Sequence, residues 1–259
     1  MKVLSVAGYH HTGKTTVVVE LLKELKRREY SVASIKDIHS EKFTMEKEGS
    51  NSWKHWEASQ NDVIARGLAE TYQIWHQRLE LPEMLSRLNA DWVIVEGMKT
   101  AALPRILCAG NEEELEELLD DTVFAVSGLY SDKNKNFRDL PVFRAESEIA
   151  MLTDLVEQKV FDFLPLAKPE CCSACGMSCY QMVGAILKGE RTRQDCVLET
   201  KKEIKVKSDG QEVVMVPYVQ NTLKDIIIAY LKNLKGLKLD KEIEIKINQS
   251  IRDEKRKKS

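Results

Sequence analysis

The stretch Val3-Leu4-Ser5-Val6-Ala7-Gly8-Tyr9-His10-His11-Thr12-Gly13-Lys14-Thr15-Thr16 decides how the rest of the chain is read. Its first half is an apolar run of strand length, and its second half is a complete Walker A phosphate-loop pattern. Residues 1–7 therefore read as a buried strand and 14–28 as a helix, with Val18, Leu21, Leu22 and Leu25 at helical spacing. Gly8 and Gly13 let the backbone turn so tightly that successive N–H groups point inward at phosphate oxygens. His11, Thr12 and Gly13 belong to that cradle, and Thr16 follows it. Lys14 offers a cation to the β and γ phosphates, and the Thr15 hydroxyl offers a ligand to Mg²⁺. A helix beginning at Lys14 adds the positive end of its dipole to the same point.

Working outward, the pattern alternates. Strands are expected at 31–36, 62–66, 71–76, 91–96, 105–109, 122–126 and 141–144, and helices at 82–88, 112–119 and 147–161. A long polar loop at 37–59 ends in a short helix. Such alternation predicts an α/β fold: a P-loop NTPase domain with a mostly parallel sheet over residues 1–164. Residues 164–169 read as a linker. After it the texture changes to a small Cys-rich helical module at 165–199, a small β-β-α-β unit at 200–250 and a charged tail at 251–259. In the β-β-α-β unit, Asp209-Gly210 is a two-residue hairpin turn between strands at 203–207 and 211–216. Val219, Leu223, Ile226, Ile227, Tyr230, Leu231 and Leu234 mark one face of the following helix. Gly236 is its C-cap position, and a last strand is expected at 242–247.

Composition narrows the functional classes. Of 259 residues 43% are hydrophobic and 31% charged, which excludes collagen-like, low-complexity and wholly disordered chains. A net charge of −2 argues against a nucleic-acid partner, although residues 201–259 carry about six more basic than acidic groups. The N-terminus does not read as a signal peptide, and the longest apolar runs fall well short of the roughly 20 residues a membrane span needs. The expectation is a cytoplasmic protein with no membrane contact, in which clustered cysteines are metal or redox ligands before they are disulfides.

Two carboxylates are placed to serve the phosphate loop. Glu96 ends an apolar strand where a Walker B acid would hold Mg²⁺ or its water, and Asp37 follows the second strand at the same sheet edge. Lys14, Glu96 and Asp37 are thus the candidate catalytic residues, whereas Asp91 begins its strand at the far edge and reads as a surface residue. In the polar loop, His39, Ser52, Trp53, Lys54, His55 and Glu57 offer donors, an aromatic face and a cation. That chemistry suits a phosphorylated, planar pterin or guanine, with a solvated surface loop as the alternative.

Four segments in series then resemble the MobB family of GTP-binding molybdopterin-guanine dinucleotide biosynthesis proteins. They are the phosphate loop, Ile35-Lys36-x-x-His39, Gly49-x-x-Ser52-Trp53-x-x-x-Glu57-Ala58 and Val95-Glu96-Gly97-Met98-Lys99. Val126-x-x-x-x-Ser131-Asp132 is a weaker fifth, and together they cover about residues 1–160. His10 and His11 stand where the family has small residues, Asp37 where it has His, and Asn51 where it has Asp. The resemblance implies a Mg²⁺-dependent GTPase of low intrinsic turnover that assists attachment of GMP to molybdopterin. A guanylyltransferase partner performs the transfer and a molybdoenzyme target receives the product. Independently of the resemblance, the chemistry of the polar loop makes His39, Ser52, Trp53 and Glu57 the candidate cofactor contacts. GTP rests on the resemblance alone, because no Asn-Lys-x-Asp base-reading motif is present. A homodimer is the default assembly.

Cys172-x2-Cys175-x3-Cys179-x16-Cys196 places three thiols within eight residues and a fourth beyond a short helix. That spacing can supply the four thiolates of a [4Fe–4S] cluster. The segment also resembles a small Fe–S domain of electron-transfer subunits and corrinoid iron–sulfur proteins, with one residue fewer between the second and third cysteines. A structural zinc site is the main alternative and uncoordinated thiols the third. Cys171 reads as a bystander and Cys108 as a buried strand residue. The leading functional reading is an accessory GTPase of molybdenum or tungsten cofactor synthesis. Its alternatives are a P-loop ATPase for metallocentre or Fe–S cluster maturation, and a non-enzymatic redox-sensing adaptor.

Overall fold

A computed structural model describes residues 1–40, 43–165, 175–196 and 198, and beyond them residues 204, 206–208, 211–213, 215, 217–234, 243 and 245. The chain forms two compact units, Met1–Thr200 and Lys201–Ser259.

In the first unit β1 (Lys2–Gly8) runs through the phosphate loop into α1 (Lys14–Arg27), and β2 (Val32–Lys36) leads to α2 (Asn51–Ser59). A hairpin of β3 (Val63–Arg66) and β4 (Thr71–Ile74) precedes α3 (Leu81–Ser86) and β5 (Trp92–Glu96). Next come β6 (Arg105–Cys108), α4 (Glu112–Leu118), β7 (Val123–Ser127) and a 3-10 turn, Gly128–Asp132. The two-residue strands β8 (Asn136–Phe137) and β9 (Leu140–Pro141) follow, then α5 (Ala145–Lys159), α6 (Cys179–Leu187) and a second 3-10 turn, Arg193–Asp195.

Five strands form one parallel sheet in the order β2-β5-β1-β6-β7. It is the α/β P-loop fold that the alternation predicts. Residues of β5 and β7 are buried without a break, as expected of parallel strands covered on both faces. Period-2 alternation sends Leu4, Val6, Trp92, Ile94, Ile106 and Cys108 to one face, where they pack with the apolar stripes of α1, α5 and α6. Val3, Val93 and Val95 face the other way, onto Leu81 and Leu85 of α3. With β1 central and its neighbours β5 and β6 reached later in the chain, the carboxyl ends of these strands open a crevice at the order reversal.

Some expectations needed adjustment. The strands at 62–66 and 71–76 pair only with each other, antiparallel, and stand apart from the main sheet. At 141–144 the extended stretch reduces to β9 and one parallel bridge from Val142 to Val126. Leu164, read as the start of a linker, is buried in the main core, while 166–169 lie outside the described residues.

In the second unit β10 (Lys207–Ser208) pairs antiparallel with β11 (Gln211–Glu212), opposing Ser208 to Gln211, while the Asp209-Gly210 turn expected between them lies outside the described residues. The helix α7 (Pro217–Leu231) follows. Its positions Val219, Ile226 and Tyr230 are exposed, as is Leu234 beyond it. Gly236, most of the strand expected at 242–247 and the tail lie outside the described residues. Among the described residues no helix is long and apolar enough to cross a membrane.

Candidate functional site

The phosphate loop depends on close backbone approaches that only glycine permits. Gly8 has φ 153°, and a Cβ there would lie 1.9 Å from the Cys108 carbonyl oxygen of the neighbouring strand. Gly13, at φ 91°, caps the start of α1 in the left-handed region. His11 is also left-handed, at φ 60°, a conformation uncommon outside glycine that recurs in ligand-binding loops. Within the loop the Thr12 hydroxyl donates to the Tyr9 carbonyl at 2.9 Å, and Lys14 Nζ donates to the same carbonyl. Burial holds the Lys14 ammonium below the ordinary lysine pKa; Cys108 and Glu96 oppose that shift, and Lys99 and Lys36 reinforce it. The Cys108 thiol beneath it is fully buried and pushed up to about 12 by burial, so it is a packing residue as its sequence context predicts.

Parallel register brings the acids to this loop. Glu96 lies opposite Lys36 on one side and Val6 on the other. The Glu96 carboxylate accepts from the Thr15 hydroxyl at 2.9 Å and from Lys36 Nζ at 2.8 Å. Asp37 follows β2 directly, and its backbone N–H donates to the Glu96 carbonyl at 2.9 Å. Its carboxylate sits 3.0 Å from His39 Nε2 and 3.8 Å from Arg78. Gly97, at φ 103°, keeps this corner tight, since a Cβ there would lie 3.1 Å from Asp37 Cβ. Lys14, Thr15, Glu96 and Asp37 are therefore assembled in one place.

They line a cavity of about 1890 Å³ bounded by residues 8–16, 36–40, 78–82, 96–102, Leu129 and 176–181. Every proposed nucleotide contact from Gly8 to Thr16 borders it, as does His39. Ser52, Trp53 and Glu57 lie on α2 and do not border it. There Ser50 caps the helix by accepting from Trp53 N–H, and Trp56 stacks on His76 at 3.9 Å.

Sequence reasoning did not single out Lys36, Arg78, Lys99 or Gly128 for the site. The family-like run Ile35–Lys36 and Glu96-Gly97-Met98-Lys99 contained the signal for two of them, while Arg78 and Gly128 come from the segments that follow β4 and β7. Gly128 supports the phosphate loop from below: at φ 78°, a Cβ there would meet the Thr12 carbonyl at 2.1 Å.

The cysteine segment belongs to the same unit and reaches the same cavity. Cys179 opens α6 and borders the cavity with Tyr180. Cys175 and Cys196 pack against the core that α6 joins through Met182, Val183 and Leu187. The Cys175 thiol donates to the Met177 carbonyl at 3.3 Å. Cys171 and Cys172 lie outside the described residues. Among the described residues no three His, Cys, Asp or Glu side chains form a group that could hold a metal ion.

Comparisons with known proteins place the chain in a family. The family model for MobB, molybdopterin guanine dinucleotide synthesis protein B, matches residues 3–128. A molybdopterin-guanine dinucleotide biosynthesis adapter protein of Haemophilus influenzae is 35% identical over 138 residues, covering 49% of this chain and 74% of that one. A candidate adapter protein of the same kind from Methanocaldococcus jannaschii is 29% identical over 257 residues, 96% of this chain and 99% of the relative. The crystal structure of Bacillus subtilis MobB superposes with a TM-score of 0.52 at 21% identity, over 63% of this chain and all of that one, and so shares the fold. With a phosphate loop, its carboxylates and these relatives in agreement, the chain belongs to the MobB family of molybdopterin-guanine dinucleotide biosynthesis adapter proteins.

Proposed function

We propose that this chain is a Mg²⁺-dependent GTP-binding protein of low turnover that assists conversion of molybdopterin to its guanine dinucleotide form. The observation that carries the reading is the Thr15–Glu96 contact at 2.9 Å beneath a complete phosphate loop, with Asp37 beside it. A hydroxyl and a carboxylate at the start of α1 are hard oxygen donors. They suit Mg²⁺, which takes few protein ligands and completes its shell with water and phosphate oxygens. Bound there, the ion would neutralise charge on the β and γ phosphates.

The chain's own groups have separable tasks. Lys14 exchanges the Tyr9 carbonyl for phosphate oxygens, and the backbone N–H groups of 11–16 and the α1 dipole hold the same charge. Asp37 orients the attacking water, held in turn by His39 and Arg78. A cavity of about 1890 Å³ exceeds the roughly 300–1,000 Å³ that a single small ligand fills, which leaves room for a pterin beside the nucleotide. His39 borders that room, and Ser52, Trp53 and Glu57 would meet the pterin only if α2 closed toward it. The partners on this reading are molybdopterin, a guanylyltransferase and a molybdoenzyme target.

The four cysteines are proposed to hold a [4Fe–4S] cluster, with zinc as the alternative. The supporting observations are their spacing and the packing of Cys175 and Cys196 against the core that α6 joins. A cluster would supply one-electron chemistry or a rigid staple for 172–196.

Competition between GTP and ATP for the wild-type protein, followed by the same titration of Lys14→Ala, tests the nucleotide reading. GTP preference, lost in the variant with an unchanged circular dichroism spectrum, is the expected result. Retained affinity in Lys14→Ala would sink the site, and ATP preference would favour a metallocentre-maturation ATPase instead.

A further inference from the structure

Two cations at the phosphate loop lack a carboxylate partner among the described residues, and only one belongs to the Walker A pattern. Lys36 is paired to Glu96 and Arg78 faces Asp37. Lys14 rests on the Tyr9 carbonyl, and Lys99 rests on the Tyr9 ring, 3.9 Å from its centroid. Lys99 borders the cavity and is close enough to Lys14 for its charge to be felt there. An ammonium on an aromatic face beside a phosphate loop gains only a modest cation–π attraction, about 0.5–1 kcal/mol when exposed. A phosphate oxygen offers it a charge-assisted hydrogen bond, the stronger interaction.

The backbone that carries Lys99 is also held in an unusual way. Arg105, 2% exposed at the start of β6, donates from Nη2 to the Lys99 carbonyl at 2.5 Å and to the Ala101 carbonyl at 3.4 Å. The same guanidinium pairs with Asp120 at 2.6 Å and donates to the Tyr180 hydroxyl at 3.0 Å. Tyr180 donates in turn to Asp120 at 2.6 Å, closing a three-membered cluster. Thr122 supplies the other Asp120 oxygen with two donors, so the carboxylate is fully engaged. Tyr180 immediately follows Cys179, and its helix sits hard against this corner: a Cβ on Gly184 would lie 2.6 Å from Asp121 Cβ.

We propose that Lys99 is a second polyphosphate-binding cation, and that Tyr180, through Arg105 and Asp120, is a positioning residue for it. The ligand class is a nucleoside di- or triphosphate, and the inference rests on the nucleotide reading of the cavity. Its consequence is that the cysteine-bearing segment is part of the nucleotide site: any change that shifts Tyr180 shifts the loop carrying Lys99. By linkage, nucleotide binding and the state of that segment must influence each other equally.

Binding of GTP, GDP and GMP with Mg²⁺ to the full chain provides the test, using the adenosine series if that is what the wild type binds. Lys99→Met should weaken triphosphate binding about tenfold and monophosphate binding less than about twofold, with Lys99→Arg restoring most of the loss. Tyr180→Phe should weaken triphosphate binding about threefold alone and have no further effect in a Lys99→Met background. Thermal melts of each variant check that the fold is retained, and Lys99→Gln replaces Lys99→Met if the latter melts early. An unchanged triphosphate-to-monophosphate ratio in Lys99→Met would overturn the assignment of Lys99. Additive effects of the two substitutions would overturn the positioning role of Tyr180. If the wild type binds no nucleotide, the reading of the cavity fails first and this inference with it.

Discussion

Gly128, like Gly8, is a position where the phosphate loop has no room for a side chain. A methyl group there would sit 2.1 Å from the Thr12 carbonyl oxygen, at a φ of 78° that L side chains rarely adopt. Gly128→Ala is expected to cost about 2–4 kcal/mol and to lower nucleotide affinity together with the melting temperature; a variant that melts and binds like the wild type would show that the loop yields freely. Glu96→Gln separates metal from fold at the same scale. It keeps an acceptor for Thr15 but weakens Lys36 and Mg²⁺ contacts, so nucleotide affinity should lose most of its Mg²⁺ dependence, measured by titration with and without the ion. Lys14, Thr15, Glu96 and Asp37 were legible in the sequence because a contiguous loop and the ends of apolar strands define them locally. Lys99 and Gly128 were not singled out, since the loop closures that give them meaning join residues far apart in the chain.

At the scale of elements, α1 and α5 are tied by an ion cluster on their outer side. Glu24 on α1 bonds Arg27 at 2.7 Å and Arg28 at 3.0 Å, and Arg28 reaches Asp154 and Glu157 of α5 at 2.7 and 2.5 Å. The hydrogen bond from Arg27, against the effect of burial and with the help of Arg28, lowers the Glu24 carboxyl to a pKa of about 2 from an ordinary 4.5. A depressed folded-state pKa means that the stabilisation is fully present above about pH 4.5 and is lost as pH falls toward 2. Glu24→Gln should therefore lower stability by about 1.5–3 kcal/mol near neutrality and flatten its decline across that window, followed by urea unfolding at several pH values. Equal slopes for variant and wild type would remove Glu24 from the account. Helix α1 was readable from its apolar periodicity, and α4 and α5 were expected from their place between strands, α4 as an acidic helix. The β3–β4 hairpin was readable only as two strands, because alternation cannot tell which strand a neighbour pairs with.

At the scale of the molecule, the cysteine segment is continuous with the nucleotide unit. Lys159 donates to the Leu187 carbonyl at 3.2 Å, Lys188 pairs with Asp121 at 2.7 Å, and Arg193 donates to the Asp162 and Phe163 carbonyls at 2.6 Å. A metal centre there would be felt throughout the unit. Protein purified without oxygen is expected to carry about four iron and four acid-labile sulfide per chain, lost in Cys175→Ala together with several degrees of melting temperature. One zinc per chain without sulfide would replace the cluster with a structural site, and no metal at all would leave the thiols to packing.

The sequence by itself determined the class of fold, the phosphate loop and the family, because each is written in short-range patterns: an apolar strand, a glycine-bounded loop, an amphipathic helix and four motifs in order. The tertiary structure alone decided that the strands order as β2-β5-β1-β6-β7, that Glu96 meets Thr15, and that the cysteine segment walls the cavity of the phosphate loop. Those outcomes depend on register and packing between residues as far apart as Lys99 and Tyr180. The buried charge of Arg105, which must find partners wherever the fold supplies them, joins that pair.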